Sequence, residues 1–378
     1  MTLKSKILTI LLVNTAVVCL ALVLIEIYLV QTDQPPQVVW GWRDTAERPN
    51  EQNQLGFRGQ PIDYRNEDFV ILLVGDSQVQ AEACAYDVMP EKRLEYHLSE
   101  ITQKPIKVFS IGAAGYGQDQ QLLGIKEYLA NNSANLILVW ETPENDIWNN
   151  MFPTHWPTDG QPKPTFWLNK NGQLNGPNQP WGSSVYSSIR TIALIEQYWQ
   201  SSLDVSWEHQ YFPPRYPLQD NYQGEVITDW YILDSALENI ENGKTHVGLS
   251  VIPASERIGY GIQLTHQLFQ QMEQLATNHQ AQFWTFYVKR PDFPLKSGTY
   301  SVKRGSETRF VQLSEEQYWQ NLQKMNHQLN FFSIPVSSAT PFTVNSYDPH
   351  LNPAAVDQVM KEVAEVLAKR LLLSGNES

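Results

Sequence analysis

The chain begins with one long apolar segment and then changes to short apolar runs separated by polar stretches. Ile7 to Ile25 contains no charged residue, and the apolar character continues to Val30. A helix needs about 20 apolar residues to span a bilayer. Residues 1–30 are therefore predicted to form a transmembrane anchor. The following 31–65, rich in Gln, Pro and Asn, is predicted to be a juxtamembrane linker.

Beyond the linker, short apolar runs alternate with stretches of helical periodicity. The predicted strands are Phe69–Val74, Ile106–Ile111, Leu136–Trp140, His246–Val251, Phe283–Val288 and Phe331–Val336. The predicted helices are Pro90–Ile101, Gln118–Ala130, Ile227–Glu241, Ile258–Asn278, Ser314–Leu329 and Pro353–Leu373. This alternation is typical of a mostly parallel sheet with helices on both faces. The predicted fold class is a three-layer α/β/α sandwich over 66–375, plus the N-terminal transmembrane helix.

The alternation is interrupted at 149–225, which is dense in Pro, Trp, Asn and Gln. Long irregular stretches inside compact domains tend to be functional. The segment is predicted to be an insertion, either a lid or a surface for a partner. Across the chain, 12 Trp and 17 Tyr indicate a large aromatic core or, alternatively, a platform for sugar rings.

Charge and cysteine content exclude several classes of function. The formal net charge of −13 argues against nucleic-acid binding through a basic patch. Only Cys19 and Cys84 are present, and Cys19 lies in the apolar segment, so the sequence predicts neither a disulfide framework nor a cysteine-based metal site.

The charges that flank the anchor predict its orientation. Lys4 and Lys6 precede the apolar run, and no Lys or Arg follows until Arg43. The positive-inside rule then places the N-terminus in the cytoplasm and the domain in the periplasm or outside the cell. A cleaved signal peptide is the alternative. An uncleaved anchor is favoured because no small-x-small cleavage site follows the run.

The first predicted strand ends abruptly at Gly75-Asp76-Ser77. In open α/β sheets the carboxyl ends of the strands are where ligands bind. Ser77 is therefore a candidate nucleophile, provided that a base, an acid and oxyanion donors exist elsewhere.

Two further strand ends supply candidate donors. Gly115 lies in the glycine-rich turn after the second strand, where the backbone can approach a ligand closely. Asn145 follows the third strand and carries a side-chain amide that can donate to an oxyanion. Taken alone, the first is a common turn and the second is more often a helix cap or turn.

The loop before the last predicted helix contains Asp348-Pro349-His350. A carboxylate in such a unit can hold Nδ1–H of the imidazole and leave Nε2 free to accept a proton. A helix start explains Asn352 and Pro353 as cap and first residue, but it does not explain the Asp and His upstream.

The order and placement of these four motifs resemble the SGNH hydrolase family, also called GDSL esterases and lipases, over about residues 68–365. The chain departs from the family pattern at four places: Gln78 replaces Leu, Ser110 replaces Asn, Pro143 replaces Gly, and the last motif is Asp-x-His, whereas many members have Asp-x-x-His. This shorter spacing occurs in membrane-associated or exported branches, some of which resemble polysaccharide O-acetyltransferases.

The resemblance implies a flavodoxin-like SGNH fold and an esterase mechanism that needs no metal or cofactor. Ser77 is the implied nucleophile, His350 the base and Asp348 its partner, while Ser77, Gly115 and Asn145 form the oxyanion hole. The expected substrate is an acyl ester, favoured as an acetyl ester, of an extracytoplasmic glycan or lipid. The alternatives are an O-acetyltransferase that uses the same triad and a non-catalytic glycan-binding protein. The sequence does not predict the oligomeric state.

Overall fold

The computed structural model describes residues 3–32, 49–152, 163–169, 171–178, 222–227, 245–304, 307–337, 341–345 and 348–374. The chain divides into two units. Of the first unit, Met1–Val39 with Gln179–Tyr211, the described part is helix α1, Leu3–Thr32. Within it, Ser5–Leu29 is long and apolar enough to cross a membrane, which fits either a membrane anchor or a signal sequence.

The second unit is an α/β sandwich, as predicted. Its helices are α2 (Ser77–Gln80), α3 (Pro90–Thr102), α4 (Gln118–Leu129), α5 (Pro143–Met151), α6 (Glu256–Asn278), α7 (Glu315–Met325) and α8 (Pro353–Ser374). Its strands are β1 (Phe69–Gly75), β2 (Ile106–Gly112), β3 (Leu136–Glu141), β4 (Thr165–Leu168), β5 (Leu174–Asn178), β6 (Val251–Ile252), β7 (Gln282–Lys289), β8 (Gly298–Arg304), β9 (Glu307–Leu313) and β10 (Asn330–Pro335).

The central sheet has five strands in the order β10-β7-β3-β1-β2, and all four neighbouring pairs are parallel. Strand β1 lies between β2 and β3, so the chain leaves it toward one side and later returns on the other. Such a reversal leaves a crevice at the carboxyl edge, where α/β proteins bind ligands. Gly75 and Ser77 lie at this edge.

Alternation along β1 divides the core between the two faces of the sheet, because successive side chains point to opposite sides. Ile71 and Leu73 pack with α3 and α8. Leu72 and Val74 pack with α4 and α6. The apolar strand run is therefore buried on both faces, which explains why it carries no polar residue.

The sequence prediction fails in two places between α5 and α7. The pattern predicts a strand at His246–Val251, but a 3-10 turn occupies Gly248–Ser250 and only Val251–Ile252 is extended. The pattern also does not predict the hairpin β8–β9. With β6 this hairpin forms a separate antiparallel sheet that packs on a third core cluster with parts of α5 and α7.

Several predicted segments lie wholly or partly outside the described residues. The predicted helix Ile227–Glu241 is described only at Ile227, which bridges to Tyr300. Of the predicted insertion 149–225, the structure describes the end of α5, the β4–β5 hairpin and a short stretch from 222. From the predicted linker 31–65, the structure describes residues 31–32, which end α1, and residues 49–65. They include Phe57, which is fully buried with its ring centroid 6.0 Å from that of Tyr116.

Candidate active site

Ser77 is the first residue of α2, immediately after β1. Asp76 caps the helix, and its Oδ1 accepts a hydrogen bond of 2.9 Å from the backbone N–H of Gln78. A short acidic cap of this kind satisfies a donor that the helix itself leaves unpaired. The turn therefore leaves the Ser77 side chain half-buried at the carboxyl edge of the sheet.

Two glycines let α2 lie directly against the strand ends. Gly75 and Gly112 are opposite each other in the β1–β2 register. A Cβ on Gly75 would lie 2.5 Å from Val79 Cγ2, and one on Gly112 would lie 2.7 Å from Val79 Cβ. Any larger residue at either position would push the helix, and Ser77 with it, away from the sheet.

His350 comes from the loop before α8, and its ring joins Ser77 to Asp348. Its Nε2 lies 2.8 Å from Ser77 Oγ, and its Nδ1 lies 2.5 Å from Asp348 Oδ1. Because a carboxylate only accepts hydrogen bonds, Nδ1 carries the proton and Nε2 accepts from the serine hydroxyl. The structure thus brings together three residues that are up to 273 positions apart in the chain.

The electrostatic state of Asp348 suits this arrangement. Partial burial would raise the pKa of its carboxyl, but the backbone N–H and the imidazole of His350 donate to it and attract its charge. These interactions outweigh burial, so the pKa of Asp348 lies below its ordinary value. Asp348 is therefore a carboxylate at neutral pH and can stabilise an imidazolium.

The candidate oxyanion donors lie around the same strand ends. Gly115 has φ of +69°, a left-handed conformation that glycine adopts without strain. Among the described residues, no group accepts a hydrogen bond from the backbone N–H of Ser77 or of Gly115. Asn145 Nδ2 donates to Asp76 Oδ2 at 3.2 Å, which uses one of its two amide hydrogens.

A buried polar network that the sequence did not predict lies behind these donors. Asp146 Oδ2 accepts from the backbone N–H of Thr142 at 2.8 Å and from Gln118 Nε2 at 2.6 Å. Asn150 extends the network, because its Nδ2 donates to Gln118 Oε1 at 2.6 Å and to Thr265 Oγ1 at 2.9 Å. The network ties α4, α5 and α6 together beneath Asn145.

Two of the buried aspartates of this region, Asp76 and Asp146, have raised pKa values. Burial raises the pKa of Asp76, against hydrogen bonds from Gln78 and Asn145 that lower it. Burial, and then repulsion from Asp76, raises the pKa of Asp146 well above its ordinary value. Both carboxyls therefore hold their protons to higher pH than an exposed aspartate does.

Arg58 is a further residue whose role the sequence did not reveal. Its guanidinium is buried and donates to the carbonyls of Gln80 at 3.2 Å, Ala81 at 2.5 Å and Cys84 at 2.8 Å. These carbonyls lie at and after the end of α2, where a helix has no internal donors for them. The only sequence signal was an arginine between two glycines, Gly56 and Gly59.

Comparison with known proteins adds little to this geometry. No protein-family model matches the chain, and no curated protein matches it. Among solved structures, the crystal structure of TesA is similar at 12% identity and a TM-score of 0.39, covering 79% of this chain and 97% of that one. The crystal structure of the lipase Lip_vut3 from a goat rumen metagenome is similar at 7% identity and a TM-score of 0.37, covering 78% of this chain and 97% of that one.

Proposed function

We propose that this chain is a membrane-anchored serine esterase of the SGNH type, in which Ser77, His350 and Asp348 form the catalytic triad. The observation that carries the proposal is the pair of contacts at His350, 2.8 Å to Ser77 Oγ and 2.5 Å to Asp348 Oδ1. A serine, its base and an orienting acid within hydrogen-bond reach are the requirements for nucleophilic acyl transfer. The motif order and the α/β sandwich support the same proposal.

In the acylation step, Ser77 Oγ attacks the ester carbonyl carbon while His350 Nε2 takes the hydroxyl proton. The oxyanion accepts hydrogen bonds from the N–H groups of Ser77 and Gly115 and from the Asn145 amide. The carbon–oxygen bond to the alcohol then breaks, and His350 returns its proton to the leaving oxygen. The product is an acyl ester on Ser77.

In the second step, a hydroxyl compound takes the acyl group from Ser77. It gives its proton to His350 Nε2 as its oxygen attacks the acyl carbon, and the proton passes to Ser77 Oγ when that bond breaks. With water the reaction is hydrolysis, which is the proposed activity. With a glycan hydroxyl it would be O-acyl transfer, the alternative that the Asp-x-His spacing favours.

The proposed location is the extracytoplasmic face of a membrane, with an acetylated glycan or lipid as the substrate. The apolar α1 and the positive charges before it support this placement. Protease treatment of intact and permeabilised cells tests this orientation. The domain should be cut once the protease reaches the outer face of the membrane, while the cytoplasm is still closed. Cleavage only after the cytoplasm is opened would contradict the proposed orientation.

The activity is tested on the full chain in detergent with p-nitrophenyl acetate and with a fluorophosphonate probe. We expect turnover and labelling in the wild type, and loss of both in Ser77→Ala. Turnover in Ser77→Ala equal to that of the wild type would overturn the proposal. Transfer of acetyl to an added oligosaccharide, detected by mass spectrometry, would replace hydrolysis with the alternative.

A further inference from the structure

The loop that carries His350 leaves the base and its acid partly exposed, although Leu351 is buried and the backbone N–H of Val344 donates to the His350 carbonyl at 2.9 Å. The side chains of His350 and Asp348 are 39% and 38% exposed. Asp348 is held by Asn345, whose Oδ1 accepts from its backbone N–H at 2.9 Å. A general base must nevertheless keep its nitrogen in line with the serine, because about 1 Å of displacement can cost about 10²-fold in rate.

Two side chains from other elements bind the peptide groups on either side of His350. Arg290 Nη1 donates to the carbonyl of Pro349, which precedes His350, at 3.1 Å. Gln78 Oε1 accepts from the backbone N–H of Leu351, which follows it, at 3.3 Å. The imidazole is therefore fixed at both of its backbone connections by groups that do not contact the ring.

Arg290 is itself held in a fixed orientation. It follows β7 at the carboxyl edge of the sheet, and its side chain is only 9% exposed. Asp292 accepts from Nε at 3.0 Å and from Nη2 at 2.7 Å. Because the guanidinium is planar, this two-point contact directs Nη1 toward Pro349. A lysine has a single charged nitrogen and cannot make both contacts in this geometry.

Gln78 links the base loop to the nucleophile turn. It directly follows Ser77, and its backbone N–H is fixed by the Asp76 cap. Its side chain reaches Leu351, so the backbone of Ser77 and that of His350 are joined by a path separate from the Ser77–His350 hydrogen bond. This is the position at which the chain departs from the leucine of the name-giving GDSL pattern.

We propose that Gln78 and Arg290 are positioning residues that hold His350 in line with Ser77. This inference rests on the proposed function, since it assigns them to the same triad. Neither residue contacts the reacting atoms, so each acts on the rate through the placement of the imidazole.

The test compares Gln78→Met, Gln78→Glu and Arg290→Lys in the full chain, with p-nitrophenyl acetate as substrate. Methionine keeps the length of glutamine but has no oxygen to accept from Leu351. We expect Gln78→Met and Arg290→Lys to lower kcat about 10-fold or more, with KM unchanged within about twofold, because alignment and not binding is lost.

Gln78→Glu distinguishes positioning from a merely structural role. Its carboxylate still accepts from Leu351, so kcat at the pH optimum should return to within about threefold of the wild type. The added negative charge beside the base should also move the acid limb of the pH–rate profile to higher pH, because it stabilises the imidazolium. Loss of kcat equal to that of Gln78→Met, with an unmoved acid limb, would overturn the proposal for Gln78.

The matched controls are Gln320→Met and Arg65→Lys, which change the same residue types at exposed positions. Thermal unfolding of every variant is measured in parallel. If Arg290→Lys does not fold, the comparison of Gln78→Met with Gln78→Glu tests the proposal without it, because Gln78 is half-exposed. Ser77→Ala separates the two proposals. If it is inactive while Gln78→Met and Arg290→Lys keep wild-type kcat, only the positioning proposal fails. If it stays active, the proposed function fails.

Discussion

Acidic side chains at the carboxyl edge of the central sheet lie in two contrasting environments, one partly exposed and one buried. Asp348, in the loop before α8, is half-exposed and receives hydrogen bonds from His350. Glu141 and Glu144, at the end of β3 and the start of α5, are buried. Burial raises the pKa of Glu141 to about 8 and that of Glu144 to about 7, whereas the pKa of Asp348 is lowered.

The difference shows that burial and hydrogen-bond partners set the pKa of each of these carboxyls. Glu141 Oε2 accepts from Asn326 Nδ2 at 2.9 Å, while its Oε1 has no partner among the described residues. An incompletely solvated buried carboxyl favours the neutral form. The loop acid is therefore suited to act in catalysis as an anion, whereas Glu141 is suited to a structural role as a neutral group.

The largest expected effect comes from removing the charge of the loop acid. Asp348→Asn should reduce kcat by about 10⁴-fold, because the amide no longer fixes the imidazole tautomer or stabilises its charged form. The thermal midpoint should change little, since the side chain is half-exposed. Esterase assays and thermal unfolding measure both, and a stable variant with wild-type kcat would remove Asp348 from the proposed triad.

Asn145→Ala tests a residue of α5 that is both a candidate oxyanion donor and a hydrogen-bond partner of Asp76. Loss of one oxyanion donor should lower kcat by about 10²–10³-fold. The same change leaves Asp76 Oδ2 without its 3.2 Å partner and should cost about 1–3 kcal/mol of stability. Steady-state kinetics and chemical denaturation separate the two losses. A fall in stability without a fall in kcat would leave Asn145 a structural residue.

Glu141→Gln should act on stability alone, in a direction set by the raised pKa of Glu141. The folded state holds the proton up to about pH 8, while an ordinary glutamate releases it near 4.5. Between these values the folded state binds more protons, so the free energy of unfolding of the wild type falls as pH rises, by up to about 1.4 kcal/mol per pH unit.

The neutral amide that Glu141→Gln introduces removes that contribution. The variant should therefore be more stable than the wild type at about pH 9, with a weaker pH dependence above about pH 5. Denaturant titrations across this range measure it, and exposed Glu316→Gln is the control. Equal slopes for wild type and variant would show that Glu141 is ionised in the folded state.

The smallest expected effects come from alanine substitutions at two glycines, Gly75 at the end of β1 and Gly259 in α6. A Cβ on Gly75 would lie 2.5 Å from Val79 Cγ2 and 3.1 Å from the Trp140 carbonyl of β3. Gly75→Ala should thus destabilise by about 1–3 kcal/mol. Gly259, in α6, has nothing within 4 Å of its added Cβ, and Gly259→Ala should stabilise by about 0.4–1 kcal/mol. Opposite signs in thermal unfolding would support the close approach of α2 to the sheet.

The order of elements in the sandwich was predictable from local patterns. The strands β1, β2 and β3 are apolar runs bounded by turns, and α3, α4, α6 and α8 carry periodic apolar faces. The β8–β9 hairpin was missed because its strands mix polar, charged and apolar residues. The predicted strand at His246 was wrong because its apolar residues pack as a 3-10 turn on the third core cluster.

The candidate site divides in the same way. Ser77, His350 and Asp348 could be proposed from sequence because each follows a strand or precedes a helix in a motif with a chemical reason. Gln78, Arg58 and Arg290 could not be given roles. The contacts that give them roles at the site are with backbone carbonyls or N–H groups, which every residue has, so no residue type in the sequence marks them.

The sequence alone determined the apolar N-terminal helix, the parallel α/β architecture and the candidate nucleophile, because these depend on hydrophobic periodicity and on short motifs. Only the tertiary structure decided which groups meet. The contacts from Ser77 to His350 and from Gln78 to Leu351 each span 273 positions, and the environment of each carboxyl depends on neighbours from several elements. Burial and long-range contact are properties of the folded chain, so the ionisation of Asp348 and Glu141 could not be inferred from their residue type.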